Sequence, residues 1–448
     1  MLRLTADAEV MPGIDVLKEK DFQGLLYKNV GLVTNPSAVT REGKSTLEVL
    51  FQEKRIHLNA LFGPEHGVYG SVPAGKYIQS FRESNTGIWV HSLYGETRAP
   101  SPRMMKGLDV VVYDMQDIGC RSYTYISTLG LVMQEAANQG IEVMVLDRPN
   151  PMGGNRIEGP RLSPAYKSFV GQYDIPYVYG LTIGELAQWI NVKFLTKPCK
   201  LTVVPMKGWY REMVWEETGL KWISSSPNIP TIKSARGYLA TSILGDVGVD
   251  TGVGEKFPFQ VAAHEGWNGA SMARKLNAHK ISGIQAGPFQ FRSKKGRWAG
   301  VLYEGVAIDI DPKAKGSLAS YGFHVLEVIR EETPSWKGLA RANKESREMF
   351  DKLNGSSSYR VMFLNGKSAS EIQESWGPGL ARWVEERKPY LLYKNLPAPP
   401  PEPAVMTSKP LTSTNNPTAK KKESPEGTNN IPVMTAPKAF VPKPSLRP

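Results

Sequence analysis

Leu61-Phe62-Gly63-Pro64-Glu65-His66-Gly67-Val68-Tyr69-Gly70 joins an apolar run, Leu58 to Phe62, to a carboxylate and an imidazole through a Gly-Pro turn. The run reads as a short buried strand. Pro64 fixes φ directly before the acid, so Glu65 stands on a stiff stem. Gly63, Gly67 and Gly70 let the backbone take φ > 0 or approach a ligand closely. A carboxylate presented at a strand end is placed where open α/β sheets bind ligands. A polar loop with a solvated Glu has the same spacing, so the neighbouring strand ends decide between the two.

Asn29 to Thr34, Gly87 to Val90, Asp109 to Tyr113 and Glu142 to Leu146 are further apolar runs without in/out alternation. Segments with helical spacing, Ser45 to Lys54 and about Thr124 to Asn138, lie between them. That pattern predicts an α/β fold with a parallel sheet covered on both faces. Polar residues collect just past the strands: Thr34-Asn35, Glu65-His66, Asp114 with Asp117, and Asp147-Arg148. In a doubly wound sheet these ends share one edge, so the loops are expected to converge on one crevice.

Further on, Gly184 to Lys193 reads as a helix with Thr182 as cap and Glu185 completing a capping box. Leu201 to Pro205 reads as a strand, and Ser224 to Thr231 as a rigid border. A strand over Val301 to Ile310 follows, with helices near Ser317 to Arg330, Lys337 to Leu353 and Ser368 to Lys388. From Leu396 the chain is rich in Pro, Thr, Lys and Asn and is expected to be disordered.

The 448 residues suffice for two domains with proper cores. No run reaches the ~18 apolar residues of a membrane helix. Cys120 and Cys199 are too few for a disulfide framework and fit no metal spacing. The N-terminus lacks the apolar core of an export signal, which implies the cytoplasm for the sequence as written. The net charge of +12 is spread widely and reads as a solvated basic surface, and no nucleic-acid-binding motif accompanies it.

Ala38 to Ser45 satisfies the loose [AG]xxxxGK[ST] pattern of a phosphate-binding loop. A phosphate cradle needs small residues so that successive N–H groups converge, and Val39, Arg41 and the acidic Glu42 occupy this loop. No GxGxxG follows the first strand, so no dinucleotide cofactor is expected. His264-Glu265-Gly266-Trp267-Asn268 lacks the second His of HExxH, so no metal is expected either.

Paired carboxylates fit better. Glycoside hydrolysis uses an acid and usually a second carboxylate, ~5–5.5 Å away for retention or ~6.5–9.5 Å for inversion. Glu65 is the candidate acid, with Asp114, Asp117 and Asp147 as possible partners. Tyr69, Tyr94, Tyr123, Tyr125 and Trp267 offer flat faces to sugar rings. Arg121 or Arg148 suits an acidic group on the sugar.

Phe62 to Gly67 with Gly70, Leu93-Tyr94-Gly95, Tyr113 to Leu129, Leu146 to Pro151, Gly180 to Ala187 and Ser226 to Thr231 together resemble the NamZ-type exo-β-N-acetylmuramidases, once catalogued as a domain of unknown function. The resemblance implies a Rossmann-like N-terminal domain (10–230) and a smaller α/β or α+β domain (231–395), with the active site between them. The tail (396–448) stands apart. The resemblance further implies release of N-acetylmuramic acid from non-reducing ends of peptidoglycan fragments, a cell-envelope setting, and Glu65 as catalytic acid. Asp114 and Asp117 join it as catalytic candidates. Asn35, His66, Tyr69, Arg121, Tyr123, Asp147, Arg148 and Asn228 are the substrate-binding candidates.

The chain departs from the family pattern in places. Tyr69 stands where the family usually has Arg, and Tyr179 where it tends to have His. Gly248 to Gly254 replaces an acidic SEGRG-like segment, leaving Asp246 or Asp250 to substitute for its Glu. A glycan-binding protein that lost its chemistry, and a P-loop nucleotide hydrolase, are the rival readings.

Overall fold

Apolar strands that do not alternate must be covered on both faces. In the computed structural model, which describes residues 9–294 and 299–396, they are. Strands β1 (Asn29–Thr34), β2 (His57–Gly63), β3 (Phe81–Arg82), β4 (Trp89–Ser92), β5 (Val110–Asp114), β6 (Glu142–Leu146) and β7 (Leu201–Val204) form one sheet in the order β3-β4-β2-β1-β5-β6-β7. Only the β3–β4 pair is antiparallel. Successive residues of β5 and β6 feed opposite cores. Val111, Tyr113, Val143 and Val145 pack with the helix Tyr125–Gln139, whereas Val110, Val112, Met144 and Leu146 pack with the helices Gly13–Glu19 and Thr46–Gln52. This is the doubly wound α/β sheet expected.

Strands β8 (Val261–His264), β9 (Ile284–Arg292) and β10 (Leu302–Ile310) form a smaller antiparallel sheet in the order β8-β10-β9. The helices Ile232–Thr241, Gly269–Ala278 and Leu318–Glu332 share its core with the face of the large sheet that holds Tyr113. One apolar core therefore crosses residue 230, and the described residues belong to one compact unit.

The capping box forms as read: Thr182 Oγ1 accepts from Glu185 N–H at 3.2 Å, and Glu185 Oε2 from Thr182 N–H at 3.0 Å. Two helices expected as continuous are divided. Asn343 caps a new helix, Lys344–Asn354, by accepting from Ser346 N–H. Pro378 sits in the first turn of Gly377–Arg387, where its missing N–H costs nothing, and so separates it from Ala369–Glu374. Beyond Leu396 the expected tail lies outside the described residues.

Strand order reverses between β1 and β5, the switch point at which open sheets usually hold ligands. Here that crevice is filled by protein. Arg148 pairs with both Asp114 oxygens, at 2.5 and 2.9 Å, and donates to Val39 O. Thr46 Oγ1 donates to Asp114 at 2.5 Å. Asn35 accepts from Ser37 and donates to Ser225 O.

Candidate active site

With the switch point filled, an open cavity of about 610 Å³ lies to one side, at the end of β2 and facing the second half of the chain. Its first wall is the quoted stretch. Glu65 is 9% exposed; its Oε2 accepts from Thr124 Oγ1 at 2.8 Å and its Oε1 from Gly75 N–H at 3.0 Å. His66 holds φ +70°, a left-handed conformation that costs a non-glycine residue ~1–3 kcal/mol and clusters at functional sites. Gly67 follows at φ +76°, where only glycine is unstrained. The strain is held in place by His66 Nδ1, 2.7 Å from Val72 O. Val72 O can only accept, so Nδ1 carries the proton of that bond.

Aromatic residues form the sides. Tyr123 donates to Ser225 Oγ at 2.7 Å, and Tyr238 meets Ser122 Oγ at 3.0 Å, so their rings are fixed 6.1 Å apart, edge to face. Burial, then the charge of Glu65, pushes the Tyr94 phenol up to about 12, so it stays neutral beside the acid. Asn228 enters from the border loop and lines the same cavity.

Two further carboxylates, Asp246 and Asp250, line the same cavity. Asp246 lies in the 3-10 segment Ser242–Val247, and burial alone pushes its carboxyl up to about 6. Asp250 Oδ1 accepts from Gly252 N–H at 2.7 Å. The segment that departs from the family's acidic motif thus still brings one carboxylate, Asp250, to the cavity that Glu65 lines, with Asp246 just before it.

Of the catalytic and substrate-binding candidates, the cavity collects Glu65, His66, Tyr123 and Asn228 and omits Asp114, Asp117, Asn35, Tyr69, Arg121, Asp147 and Arg148. Asp114 and Arg148 neutralise each other at the switch point. Asp117 is buried, accepting from Gly119 N–H at 2.7 Å and from the Tyr179 hydroxyl, and desolvation raises its carboxyl to about 6. Asp147 accepts from Thr182, Gly184 N–H and Tyr393, and desolvation raises it to about 7. Asn35 is spent on Ser37 and Ser225. Tyr69 points away, donating to Glu83 at 2.6 Å. The expectation that strand-end polarity marks contact with substrate is corrected for Asn35, Asp114, Asp117, Asp147 and Arg148: they are buried and spend their polar atoms on protein partners.

Arg121 is fully buried and donates to the carbonyls of Pro160, Ile175 and Leu353 at 2.5, 2.8 and 2.8 Å, tying the helix Lys344–Asn354 to the large sheet's loops. Arg121→Met strands those carbonyls and is expected to lower stability by ~2–4 kcal/mol, seen as a fall in Tm with the rate per folded molecule nearly unchanged. An unchanged Tm with lost turnover would instead return Arg121 to the substrate site.

The loop Ala38 to Ser45 is a hairpin-like turn. Thr40 N–H bonds Lys44 O, Gly43 N–H bonds Thr40 O, and Lys44 Nζ donates to Gln52. Its amides close the turn and do not converge on a phosphate, which corrects the P-loop alternative. Among residues that line the cavity, Thr124, Tyr238 and Tyr303 were not singled out as site residues from sequence. Thr124 lay inside a recognised motif, whereas no periodic or motif signal marks Tyr238 or Tyr303.

Comparison with known proteins agrees along most of the chain. The model of the exo-β-N-acetylmuramidase NamZ N-terminal domain matches residues 30–233, and that of its C-terminal domain residues 236–393. The peptidoglycan β-N-acetylmuramidase NamZ of Bacillus subtilis (strain 168) is 38% identical over 386 residues, covering 86% of this chain and 92% of that protein. Two crystal structures of DUF1343 family proteins from Bacteroides fragilis NCTC 9343 superpose with TM-scores of 0.81 and 0.66, at 42% and 28% identity, each over 86% of this chain and 99% of the other. Matches spanning both halves of the fold, with the PEHG glutamate on the cavity wall, make this chain a member of the NamZ exo-β-N-acetylmuramidase family.

Proposed function

We propose that this protein is a glycosidase that releases N-acetylmuramic acid from the non-reducing ends of peptidoglycan fragments, with Glu65 as general acid and Asp246 as the opposing carboxylate. The observation that carries the reading is that Glu65 and Asp246, supplied by distant parts of the chain, line one cavity walled by tyrosines. Its volume, about 610 Å³, lies within the ~300–1,000 Å³ usual for small-molecule sites. His66 and Asn228 orient the sugar through hydrogen bonds, and Tyr123 and Tyr238 supply apolar contact to its ring. Among the described residues no helix is long and apolar enough to cross a membrane.

A second assignment exchanges the roles. The raised carboxyl of Asp246 favours its protonated form, and both Glu65 oxygens accept hydrogen bonds, from Thr124 Oγ1 and Gly75 N–H. In that arrangement Asp246 is the acid and Glu65 the base or nucleophile.

The full-length protein, incubated with peptidoglycan fragments that end in N-acetylmuramic acid, is expected to release the free sugar steadily and to leave internal linkages intact. Saturable binding with no product after long incubation would establish the glycan-binding alternative instead.

A further inference from the structure

Away from the cavity, two helices of the smaller-sheet region bring together side chains that no step of glycoside hydrolysis uses. His324 and Glu327 lie one turn apart on the helix Leu318–Glu332, and His279 caps the C-terminus of the helix Gly269–Ala278 packed beside it. One donor atom from each lies within 4.8 Å of the other two. We propose that His279, His324 and Glu327 form a binding site for a divalent transition metal, best matched by Zn²⁺, that staples these two helices together.

The chemistry of the donors selects the ion. Imidazole nitrogens with one carboxylate oxygen suit zinc and its neighbours, whereas calcium and magnesium take oxygen sets. His324 is 5% exposed, and its Nδ1 has no hydrogen-bond partner, with Glu327 Oε2 3.9 Å away and out of reach. A buried ring nitrogen without a partner is a standing cost that a metal bond removes. Glu327 Oε2 also accepts from Ala369 N–H at 3.3 Å, the kind of outer contact that orients a metal-binding carboxylate.

The two rings stand 4.8 Å apart between centroids. Zinc sits ~2.0–2.2 Å from its donors, which places them ~3.4 Å from one another in a tetrahedron. His279 is exposed and free to close that difference by rotating, with water as the fourth ligand. Of the nearby charges, Lys275 pairs with Glu331 and Glu332, while Arg330 donates to Phe363 O and also stands 3.8 Å from Glu327 Oε1, leaving Oε2 as the oxygen nearer His324. No motif announced the site, because its histidines lie far apart in the chain and meet only through helix packing.

Full-length protein stripped with a chelator and titrated with Zn²⁺ by calorimetry is expected to bind one equivalent with a Kd of about 10 μM or tighter. Zinc should also raise its Tm, and Co²⁺ should give the visible absorption of a four-coordinate site. His279→Ala, at an exposed position, is expected to keep the metal-free Tm and to weaken zinc binding at least ~10-fold. Glu327→Gln, which keeps the Ala369 contact, should weaken it similarly. No saturable binding up to about 1 mM zinc, or equal affinity in the parent and both variants, would overturn the proposal.

Discussion

Glu65→Gln is expected to lower kcat/KM for release of N-acetylmuramic acid from a peptidoglycan fragment by ~10²–10⁴-fold, the usual contribution of a positioned general acid. Gln keeps the shape, its oxygen can accept from Gly75 N–H and its NH2 can donate to the Thr124 hydroxyl, but it cannot act as an acid, so binding should change little. The loss should depend on the leaving group. A sugar alkoxide needs a proton as it departs, and a nitrophenolate does not. On a nitrophenyl β-N-acetylmuramide the same variant should therefore lose only about 10-fold. A loss within ~3-fold on the natural fragment would remove Glu65 from the chemistry. A loss equally large on both substrates would make it the base or nucleophile.

Asp246→Asn carries the second large effect. As the opposing carboxylate it must be ionised to activate water or attack the sugar, so the variant should lose ~10²–10³-fold on natural and nitrophenyl substrates alike. The pH profile fixes the sign. Burial raises Asp246 to about 6, so the parent's kcat/KM should fall as pH drops through about 6, and the residual activity of the variant should lack that limb. The exchanged assignment predicts the opposite: activity falling as pH rises through about 6, and a variant largely rescued by a nitrophenyl leaving group. Asp250 lines the same cavity, and an effect confined to Asp250→Asn would transfer the role to it.

Strands β1 and β6 were legible residue for residue, because continuous apolar runs between turn residues have few other uses in a chain of this composition. The Glu65 turn was legible because Gly and Pro at fixed offsets leave the backbone little choice. The crevice at the switch point was misread. Asp114, Asp147 and Arg148 are polar residues at strand ends, and that pattern is the same whether they meet a ligand or one another. Only coordinates separate the two, since Arg148 reaches Asp114 from the next strand. β9 escaped notice for another reason. It is an edge strand with alternating exposure that carries Pro288, and proline in a run argues against a strand unless the run lies at an edge. Asp246 sits in a single 3-10 segment without periodicity, so its place on the cavity wall depends wholly on tertiary packing.

A crystal structure of the Glu65→Gln protein holding an intact β-N-acetylmuramide is the most direct check on Glu65 as the acid: the glycosidic oxygen is expected within ~3 Å of the residue 65 side chain, with the Asp246 or Asp250 carboxylate on the other face of the sugar. A sugar bound at the β1–β5 switch point, or anywhere that leaves residue 65 out of reach of the scissile bond, would contradict it.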